Sequence, residues 1–419
     1  MKTYKTISLG CKVNAYEISA LCSRLEELGY VKDENNPSVA IINTCSVTAT
    51  ADQKSRQHIR KLINNYPNAL IVVMGCYSQG QHKFVSEEIK ANIVTGTNNR
   101  DKIVELIEKY HNGESIDITD EKSRLFDKYE ELGVTTHSEN VRAYLKIQDG
   151  CDNFCSYCLI PYRRGKARSR QPENVIKEAE FLVNNAYKEI VLTGIHVGGY
   201  GKDLNSISFS NLVKQLLDIK DLYRIRISSI EESEIDDELI NLINTKSNLA
   251  YHFHIPLQSG SDTVLKRMNR KYTCEQFLNK INLIKNSCPD VALTTDVIVG
   301  FPGESEEEFQ QTYEFIKKCG FHMLHVFPFS SREGTVAAKM PNQIDPRIKK
   351  QRVAALIELS NNLWDKYTSR FINKEVEVLI EEYDEEHHIN IGHTSNYLEV
   401  RIPDLENRVG QIVKTVYKK

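Results

Sequence analysis

Residues 151–170 read CDNFCSYCLIPYRRGKARSR and place three cysteines, Cys151, Cys155 and Cys158, within eight positions. They follow a predicted strand, AYLKIQ (143–148), where the chain enters a loop. An iron–sulfur cube with four irons normally takes four cysteine ligands, so three leave one iron free to bind a small molecule. A zinc site is the alternative, but zinc needs a fourth Cys or His at short spacing, and the next histidine is His196. The spacing therefore favours an iron–sulfur cluster with an open iron.

Downstream of this loop, apolar strand-like segments alternate with helical ones. Six strands are predicted, at residues 143–148, 189–194, 224–230, 250–256, 291–300 and 321–330. This alternation predicts a partial (β/α)6 barrel, in which the chemistry lies at the carboxyl ends of the strands. A helix that carries Val353, Leu356, Leu359 and Leu363 on one face is expected to follow the barrel.

Upstream of the loop, the chain shows a separate α/β pattern. Apolar strands TISLG (6–10), VAIIN (39–43) and LIVVM (70–74) alternate with helices predicted at about 15–28, with Leu28 on the apolar face, about 50–65 and about 101–110. Such strands predict a parallel sheet that is covered on both faces. Cys11, Cys45 and Cys76 each follow a strand end, so they should meet at one edge of this sheet. Three separate core cysteines are the alternative.

Composition changes divide the chain into four predicted segments. We expect an α/β domain at 1–115, a polar linker at 116–140, the barrel at 141–368 and a small all-β barrel at 369–419. The last is predicted from KEVEVLI (374–380), YLEVRI (397–402) and GQIVKTV (410–416), which polar turns separate.

The overall composition limits the class of protein. Apolar residues make up 40% and charged residues 26%, and apolar runs are only strand-length, which argues against disorder and against a membrane span. The N-terminus has no apolar signal core, so a cytoplasmic location is expected. The formal net charge of −3 gives no global signal for nucleic acid, so any RNA contact must be local.

The cysteine pattern CxxxCxxC at 151–158 is similar to the hallmark of radical S-adenosylmethionine (SAM) enzymes. With TISLGCKVNAYE (6–17), IINTCSVTATADQKSRQ (41–57) and VVMGCYSQ (72–79) ahead of it and a terminal barrel of the TRAM type, the chain resembles the methylthiotransferases over nearly its whole length. CKVNAYE and NFCSYCLIPYRRGKARSR are most similar to the branch acting on N6-threonylcarbamoyladenosine in tRNA. The isopentenyladenosine branch usually has Gln-Met-Asn after the first cysteine, and the ribosomal-protein branch Pro-Lys-Asn. Here Lys12-Val13-Asn14 stands.

This resemblance implies the cofactors and the reaction. It implies two [4Fe–4S] clusters, one on Cys151, Cys155 and Cys158 that binds and splits SAM, and one on Cys11, Cys45 and Cys76 that donates sulfur. The product would be the 2-methylthio form of threonylcarbamoyladenosine at position 37 of tRNA. The expected partners are tRNA and a reducing electron-donor protein, with no membrane and no DNA. The alternatives are an isopentenyladenosine or ribosomal-protein substrate and, from another class, a non-enzymatic metal-bound RNA-binding module.

Further candidate residues lie near the predicted strand ends. Seven are candidate SAM contacts, with packing or ordinary loop roles as the alternative: Tyr157, Thr193, Gly194, Ser229, Glu231, Gln258 and Gly300. Five form a basic run without an acid, which is expected to contact the tRNA backbone, with a solvated loop as the alternative: Arg163, Arg164, Lys166, Arg168 and Arg170. His252 and His254 share one strand face and are interpreted as barrel or substrate-pocket residues rather than metal ligands.

Overall fold

The N-terminal unit of the protein is a parallel sheet. A computed structural model of the chain describes residues 2–114, 126–134 and 141–419. The strands of this unit are β1 (Thr3–Ser8), β2 (Val31–Lys32), β3 (Val39–Thr44), β4 (Leu70–Gly75) and β5 (Ile93–Val94). Its helices are α1 (Lys12–Glu27), α2 (Ala49–Asn65), α3 (Cys76–Gly80) and α4 (Ile103–His111). The strand order is β2-β1-β3-β4-β5, all parallel.

Apolar residues on both faces of the central strands fix this sheet. Ile41 and Val72 pack into the cluster on one face, and Ile42 and Val73 into the cluster on the other. Successive side chains of a strand point to opposite faces, so continuous apolar runs need cover on both. The three predicted strands and helices are confirmed. Leu28, however, is 46% exposed, because α1 ends one residue before it.

The central unit contains the six predicted barrel strands. Its strands are β6 (Arg142–Lys146), β7 (Gln148–Asp149), β8 (Arg168–Ser169), β9 (Glu189–Thr193), β10 (Arg224–Ile227), β11 (His252–His254), β12 (Ala292–Val299) and β13 (Met323–Pro328). Its helices are α5 (Ile160–Arg164), α6 (Pro172–Asn184), α7 (Phe209–Leu217), α8 (Asp237–Thr245), α9 (Asp262–Arg267), α10 (Cys274–Ser287), α11 (Glu306–Cys319) and α12 (Pro346–Thr368).

Two three-stranded parallel sheets, β6-β9-β10 and β11-β12-β13, form the barrel wall. Isolated bridges from Ile225 to Leu249 and from Ser229 to His254 join the two sheets. The wall therefore runs through six strands in sequence order, which confirms the partial (β/α)6 barrel. The short antiparallel pair β7 and β8 flanks the loop that carries the CxxxCxxC cysteines.

The C-terminal unit is a four-stranded antiparallel sheet, β16-β15-β14-β17. Its strands are β14 (Glu375–Asp384), β15 (Ile389–Thr394), β16 (Glu399–Pro403) and β17 (Ile412–Val416). The all-β prediction is confirmed, but the sheet keeps two edges and is an open half-barrel. Strand β15 was not predicted, because it contains Gly392, and glycine is uncommon in strands. Here a Cβ would lie 2.0 Å from the carbonyl oxygen of Leu379.

The predicted linker is not simply a surface excursion. Residues 126–134, its described part, pack between the N-terminal unit and the barrel, where Phe126 and Leu132 are buried. Glu130 pairs with Arg100 (2.6 Å) of the N-terminal unit. Two apolar residues are too few to show a periodic pattern, so the sequence did not reveal this contact. The rest of the predicted linker, 116–125 and 135–140, lies outside the described residues. Over the described ranges, the structure contains no helix with the length and apolar character of a membrane span.

Candidate active site

A cavity of about 660 Å³ lies where the three units meet. The N-terminal unit contributes Gly10–Val13, at the start of α1, the barrel contributes strand ends, and the C-terminal sheet contributes Tyr397. Barrel residues in its wall include Thr193, Gly194, Arg226, Ser229, His252, His254, Thr294, Asp296 and His325. The cavity is therefore at the carboxyl ends of the parallel strands, where this class of fold carries its chemistry.

Cys151, Cys155 and Cys158 are free, half-buried thiols on one short loop. Each sulfur accepts a hydrogen bond: from the Asn153 amide (3.5 Å), the Arg270 guanidinium (3.4 Å) and the Ile160 amide (3.4 Å), respectively. Such donors to cysteine sulfur are a feature of iron–sulfur sites.

Hydrogen bonds also hold this loop against the barrel. Ser156 bonds to the carbonyl oxygens of Met268 (2.9 Å) and Arg267 (2.8 Å), which holds the loop against the turn after α9. Burial raises the pKa of Cys158 to about 12, so a positively charged metal would be needed to keep its thiolate at neutral pH. The donor set thus fits a cluster held by three cysteines.

Cys11, Cys45 and Cys76 come together at one edge of the N-terminal sheet, as predicted. A Cβ on Gly10, whose φ is +98°, would lie 2.6 Å from the Cys45 sulfur. Only glycine therefore allows the Cys11 and Cys45 loops to approach this closely. Burial raises the pKa of Cys76 to about 11, and the nearby Cys11 and Cys45 add to this shift.

Neither triad is arranged to bind a single metal ion. No three Cys, His, Asp or Glu side chains within the described ranges are grouped closely enough to hold one metal ion. A four-iron cluster has no such requirement, because each cysteine binds a different iron. Residues Cys11, Cys45 and Cys76 would hold one such cluster, and Cys151, Cys155 and Cys158 the other.

Arg164 connects the two cysteine triads. It ends helix α5, directly after the CxxxCxxC loop, and its side chain is fully buried. Its Nε donates to the Cys76 sulfur (3.2 Å), and its Nη2 donates to the Asn14 side-chain oxygen (2.9 Å). The Asn14 amide in turn donates to the carbonyl oxygens of Leu9 (2.7 Å) and Thr44 (3.2 Å), beside Cys11 and Cys45. One guanidinium from the barrel therefore positions the loops of the N-terminal triad.

Buried carboxylates balance the charge of Arg164. Its Nη1 donates to Glu17 (2.8 Å) and to Asp149 (3.0 Å). Lys146 lies 2.9 Å from Glu17 and 2.6 Å from Asp149, and Arg100 also pairs with Glu17. The positive neighbours hold the pKa of Glu17 and of Asp149 below the ordinary range despite the opposing effect of burial. The network joins the N-terminal unit to the barrel.

The prediction that the whole basic run contacts RNA is wrong for Arg164, Arg168 and Arg170. All three are buried. Arg168 donates to the Arg164 carbonyl oxygen (2.8 Å), and Arg170 pairs with Glu178 and Glu131. Acids from distant parts of the chain neutralise them, which a local run of basic residues does not reveal. Lys166 is exposed and Arg163 is half-buried, so a role in RNA binding stays a prediction for these two.

Three of the predicted SAM contacts line the cavity: Thr193, Gly194 and Ser229. Glu231 instead lines a separate cleft of about 110 Å³ beside Cys155, where it pairs with Arg270. That pairing orients the Arg270 guanidinium toward the Cys155 sulfur.

Tyr157, Gln258 and Gly300 do not contribute to the wall of the cavity. Tyr157 packs edge-on against Phe301, with ring centroids 6.4 Å apart. A Cβ on Gly300 would lie 2.4 Å from the Lys349 side chain of α12. Gln258 exchanges backbone hydrogen bonds with β12. Contact of these residues with SAM stays a prediction.

A chain of hydrogen bonds crosses one wall of the cavity. Asp296 lies 3.2 Å from His254 Nε2, and the Thr294 hydroxyl lies 2.9 Å from both His254 Nδ1 and His252 Nε2. Thr294 thus links the two histidine rings, and His252 Nδ1, the ring nitrogen that Thr294 does not hold, is buried without a hydrogen-bond partner. Burial, with Arg226 nearby, lowers the pKa of His252 well below its usual value, which keeps the ring neutral.

His252 also stacks on Tyr397 of the C-terminal sheet, with ring centroids 4.9 Å apart. The sequence predicted that His252 and His254 are barrel or substrate-pocket residues, and both line this cavity. The sequence did not predict that Tyr397 lines this cavity or that His196 lies in the cleft beside Cys155. His196 Nε2 lies 2.8 Å from Glu234. Although burial alone would lower the pKa of His196, Cys151 and Glu234 raise it to about 10.

Two family models match the chain. One is the Radical SAM superfamily, at residues 145–316, and the other is described as "Uncharacterized protein family UPF0004", at residues 3–96. They coincide with the two units that carry the cysteine triads.

Solved structures support the fold. The radical SAM methyltransferase TsrM of Kitasatospora setae has a TM-score of 0.59 at 13% identity, over 78% of this chain and 75% of that one. The cobalamin-dependent radical SAM enzyme OxsB has a TM-score of 0.54 at 12% identity, over 87% of this chain and 56% of that one.

Curated relatives match almost end to end. Threonylcarbamoyladenosine tRNA methylthiotransferase MtaB of Bacillus subtilis is 46% identical over 99% of this chain and 93% of its own. The MtaB of Thermotoga maritima is 36% identical, over 98% and 93%. A tRNA-2-methylthio-N(6)-dimethylallyladenosine synthase of Thermoanaerobacter pseudethanolicus is 40% identical, over 90% and 82%. The chain belongs to the radical SAM methylthiotransferase family, whose members use SAM and [4Fe–4S] clusters.

Proposed function

We propose that this enzyme adds a methylthio group to C2 of N6-threonylcarbamoyladenosine at position 37 of tRNA. The observation that carries the proposal is a cavity shared by the N-terminal unit and the barrel. Residues Gly10–Val13 form one side of it, and the ends of the barrel strands form the other. An adenine that enters this cavity would meet Cys11 of the N-terminal triad and the strand ends where this class of fold carries its chemistry.

The chain's own residues supply position and enclosure. An aromatic C–H has no acidic proton for a side chain to remove, so SAM and the clusters, when bound, supply the radical chemistry. Arg164 and Asn14 fix the Cys11 and Cys45 loops, and Arg270 and the backbone amides hold the CxxxCxxC loop. Walls from three units limit the access of water to the cavity.

The choice of substrate rests on the relatives and on the residues after Cys11. The 46% identical relative bears the name of a threonylcarbamoyladenosine enzyme, and the resemblance in CKVNAYE favours the same branch. Lys12 and Val13, the residues that differ between branches, both lie in the wall of the cavity. They are therefore placed where the modified base would be read.

We propose further that tRNA reaches the cavity past Lys166 and Arg163. The basic residues of the C-terminal sheet are less suited to phosphate, because Arg401, Arg408 and Lys414 lie within 3.2 Å of Glu399, Asp404 and Glu377, respectively. This sheet would orient the base through Tyr397 rather than attract RNA by charge. A reducing electron-donor protein and a cytoplasmic location complete the proposal.

Mass spectrometry of tRNA nucleosides from cells with and without the gene tests this function. We expect loss of the 2-methylthio form of threonylcarbamoyladenosine in the deletion and its return with a plasmid copy. An unchanged level, together with loss of a methylthio group from isopentenyladenosine or from a ribosomal protein, would contradict the proposal.

A further inference from the structure

The corner of the cavity beside Cys11 contains a lysine that no described residue pairs with. Lys12 faces the cavity, is open to solvent there, and makes no hydrogen bond or ion pair with any described residue. Arg226 also lines the cavity, but Glu189 holds its Nε at 2.6 Å. Asp296, the one carboxylate among the described lining residues, is engaged by His254. A ligand that fills the cavity displaces the water around the Lys12 ammonium, which is unfavourable unless the ligand supplies a counter-ion.

The position of Lys12 in its helix strengthens this charge. Lys12 is the first residue of α1, a 16-residue helix whose first turn contains no acid and whose N-cap residue makes no side-chain cap. The N-terminus of a helix carries partial positive charge, so a lysine there is unfavourable for the helix and an anion is favourable. A cluster on Cys11 would face the helix end itself, and the Lys12 ammonium would still need an anion of its own from the ligand in the cavity.

A second unsatisfied group lies in the same cavity. His252 is 6% exposed, lines the cavity, and its Nδ1 is buried without a hydrogen-bond partner. Thr294 holds the other ring nitrogen, Nε2, so Nδ1 is the one left for a ligand. A ligand that fits both groups therefore needs an anion together with a polar group that hydrogen-bonds to the ring.

The substrate of the proposed function has these groups. Its N6 substituent ends in the carboxylate of threonine and carries urea N–H groups and a hydroxyl. C2 and N6 lie on the same edge of adenine, on either side of N1. When C2 faces the triad that contains Cys11, the N6 substituent must therefore lie next to that triad, beside Lys12.

We infer that Lys12 and the start of α1 bind the carboxylate of the threonylcarbamoyl group, and that His252 Nδ1 forms a hydrogen bond with the same substituent. This inference rests on the proposed function and adds to it the residue that selects the substrate. An isopentenyl group is neutral and apolar, so it would leave the Lys12 ammonium desolvated and unpaired, and the enzyme would discriminate against it.

A chemical double-mutant cycle tests this contact. The variant is Lys12→Met, which removes the charge at similar length, and the altered substrate is threonylcarbamoylated tRNA whose carboxylate is capped as a neutral methylamide. For the wild type, capping should lower kcat/KM about 10- to 100-fold, the range for one hydrogen bond between charged groups. Lys12→Met should show the same loss on the natural substrate and almost no further loss on capping. Lys12→Arg should recover part of the activity on the natural substrate only.

SAM also carries a carboxylate, and the same assays distinguish the two sources. If Lys12 binds SAM, Lys12→Met will raise the KM for SAM and slow formation of 5′-deoxyadenosine in the absence of tRNA. That result overturns the inference. So does a Lys12→Met variant whose kcat/KM falls by the same factor on the natural and the capped substrate, or one whose kcat/KM on the natural substrate is unchanged.

Two controls make the result specific. Lys188→Met removes a lysine just before β9, at the end of the barrel opposite the cavity, and should leave every rate unchanged. Iron content is measured for each variant. A variant that has lost iron is inactive because the cluster is missing, and not because the carboxylate has lost its charged partner. Failure of the proposed function is distinct, because the wild type itself would then make no methylthio product from threonylcarbamoylated tRNA.

Discussion

The two cysteine triads are built in opposite ways. Cys151, Cys155 and Cys158 lie within eight residues of one loop, and backbone amides of that loop donate to two of the sulfurs. Cys11 and Cys76 are more than sixty residues apart and meet only because parallel strands end at one edge. The first triad depends on local conformation, whereas the second depends on the whole sheet and on Arg164 from the barrel. The comparison predicts which changes disable each triad.

The largest effect is expected from the local triad. Replacing Cys151, Cys155 and Cys158 together by Ala should abolish formation of 5′-deoxyadenosine, because no iron would remain to bind SAM. Chromatography of anaerobic, chemically reduced reactions measures this product. If the variant cleaves SAM at a measurable rate, the loop is not the SAM site.

The distant triad should give a different defect. Cys45→Ala or Cys76→Ala should still produce 5′-deoxyadenosine but should add no methylthio group to tRNA, because the proposed function assigns sulfur donation to this triad. Both products are measured in the same reaction. Cys288→Ala, which removes a buried cysteine of the barrel core, serves as the matched control. Methylthiolation at the wild-type rate would show that the distant triad is only structural.

The dependence of the distant triad on Arg164 predicts a loss of stability. Arg164→Met leaves the buried carboxylates of Glu17 and Asp149 with one cation fewer, and breaking a buried ion network in this way costs about 3–5 kcal/mol. Chemical denaturation measures the free energy of unfolding. Arg347→Met is the control, because that side chain is 90% exposed. Equal stability of both variants would rule out a structural role for the network.

The smallest effect is expected outside both triads. Arg163→Gln with Lys166→Gln should weaken tRNA binding and lower the slope of log affinity against log salt by about 0.7–0.9 for each phosphate that the protein no longer neutralises. SAM cleavage without tRNA should not change. A slope equal to that of the wild type would mean that the tRNA backbone passes elsewhere.

The same contrast explains what the sequence could predict. Apolar runs such as LIVVM (70–74) identify buried strands directly, and the spacing at 151–158 identifies a cluster loop without knowledge of the fold. The two-residue strands β2 and β5 are too short for any pattern. The basic run failed as a prediction of RNA contact because Glu17, the partner of Arg164, is 147 residues away in the sequence. The place of Lys12 in a shared cavity likewise depends on how three units pack.

Iron and labile sulfide analysis of anaerobically purified protein tests whether each triad holds its own cluster. We expect about eight irons and eight sulfides per wild-type chain. We expect about four of each for the Cys151/Cys155/Cys158 variant and about four for the matching Cys11/Cys45/Cys76 variant. About four irons in the wild type that disappear in only one of the two variants, or zinc without sulfide, would contradict the assignment of one cluster to each triad.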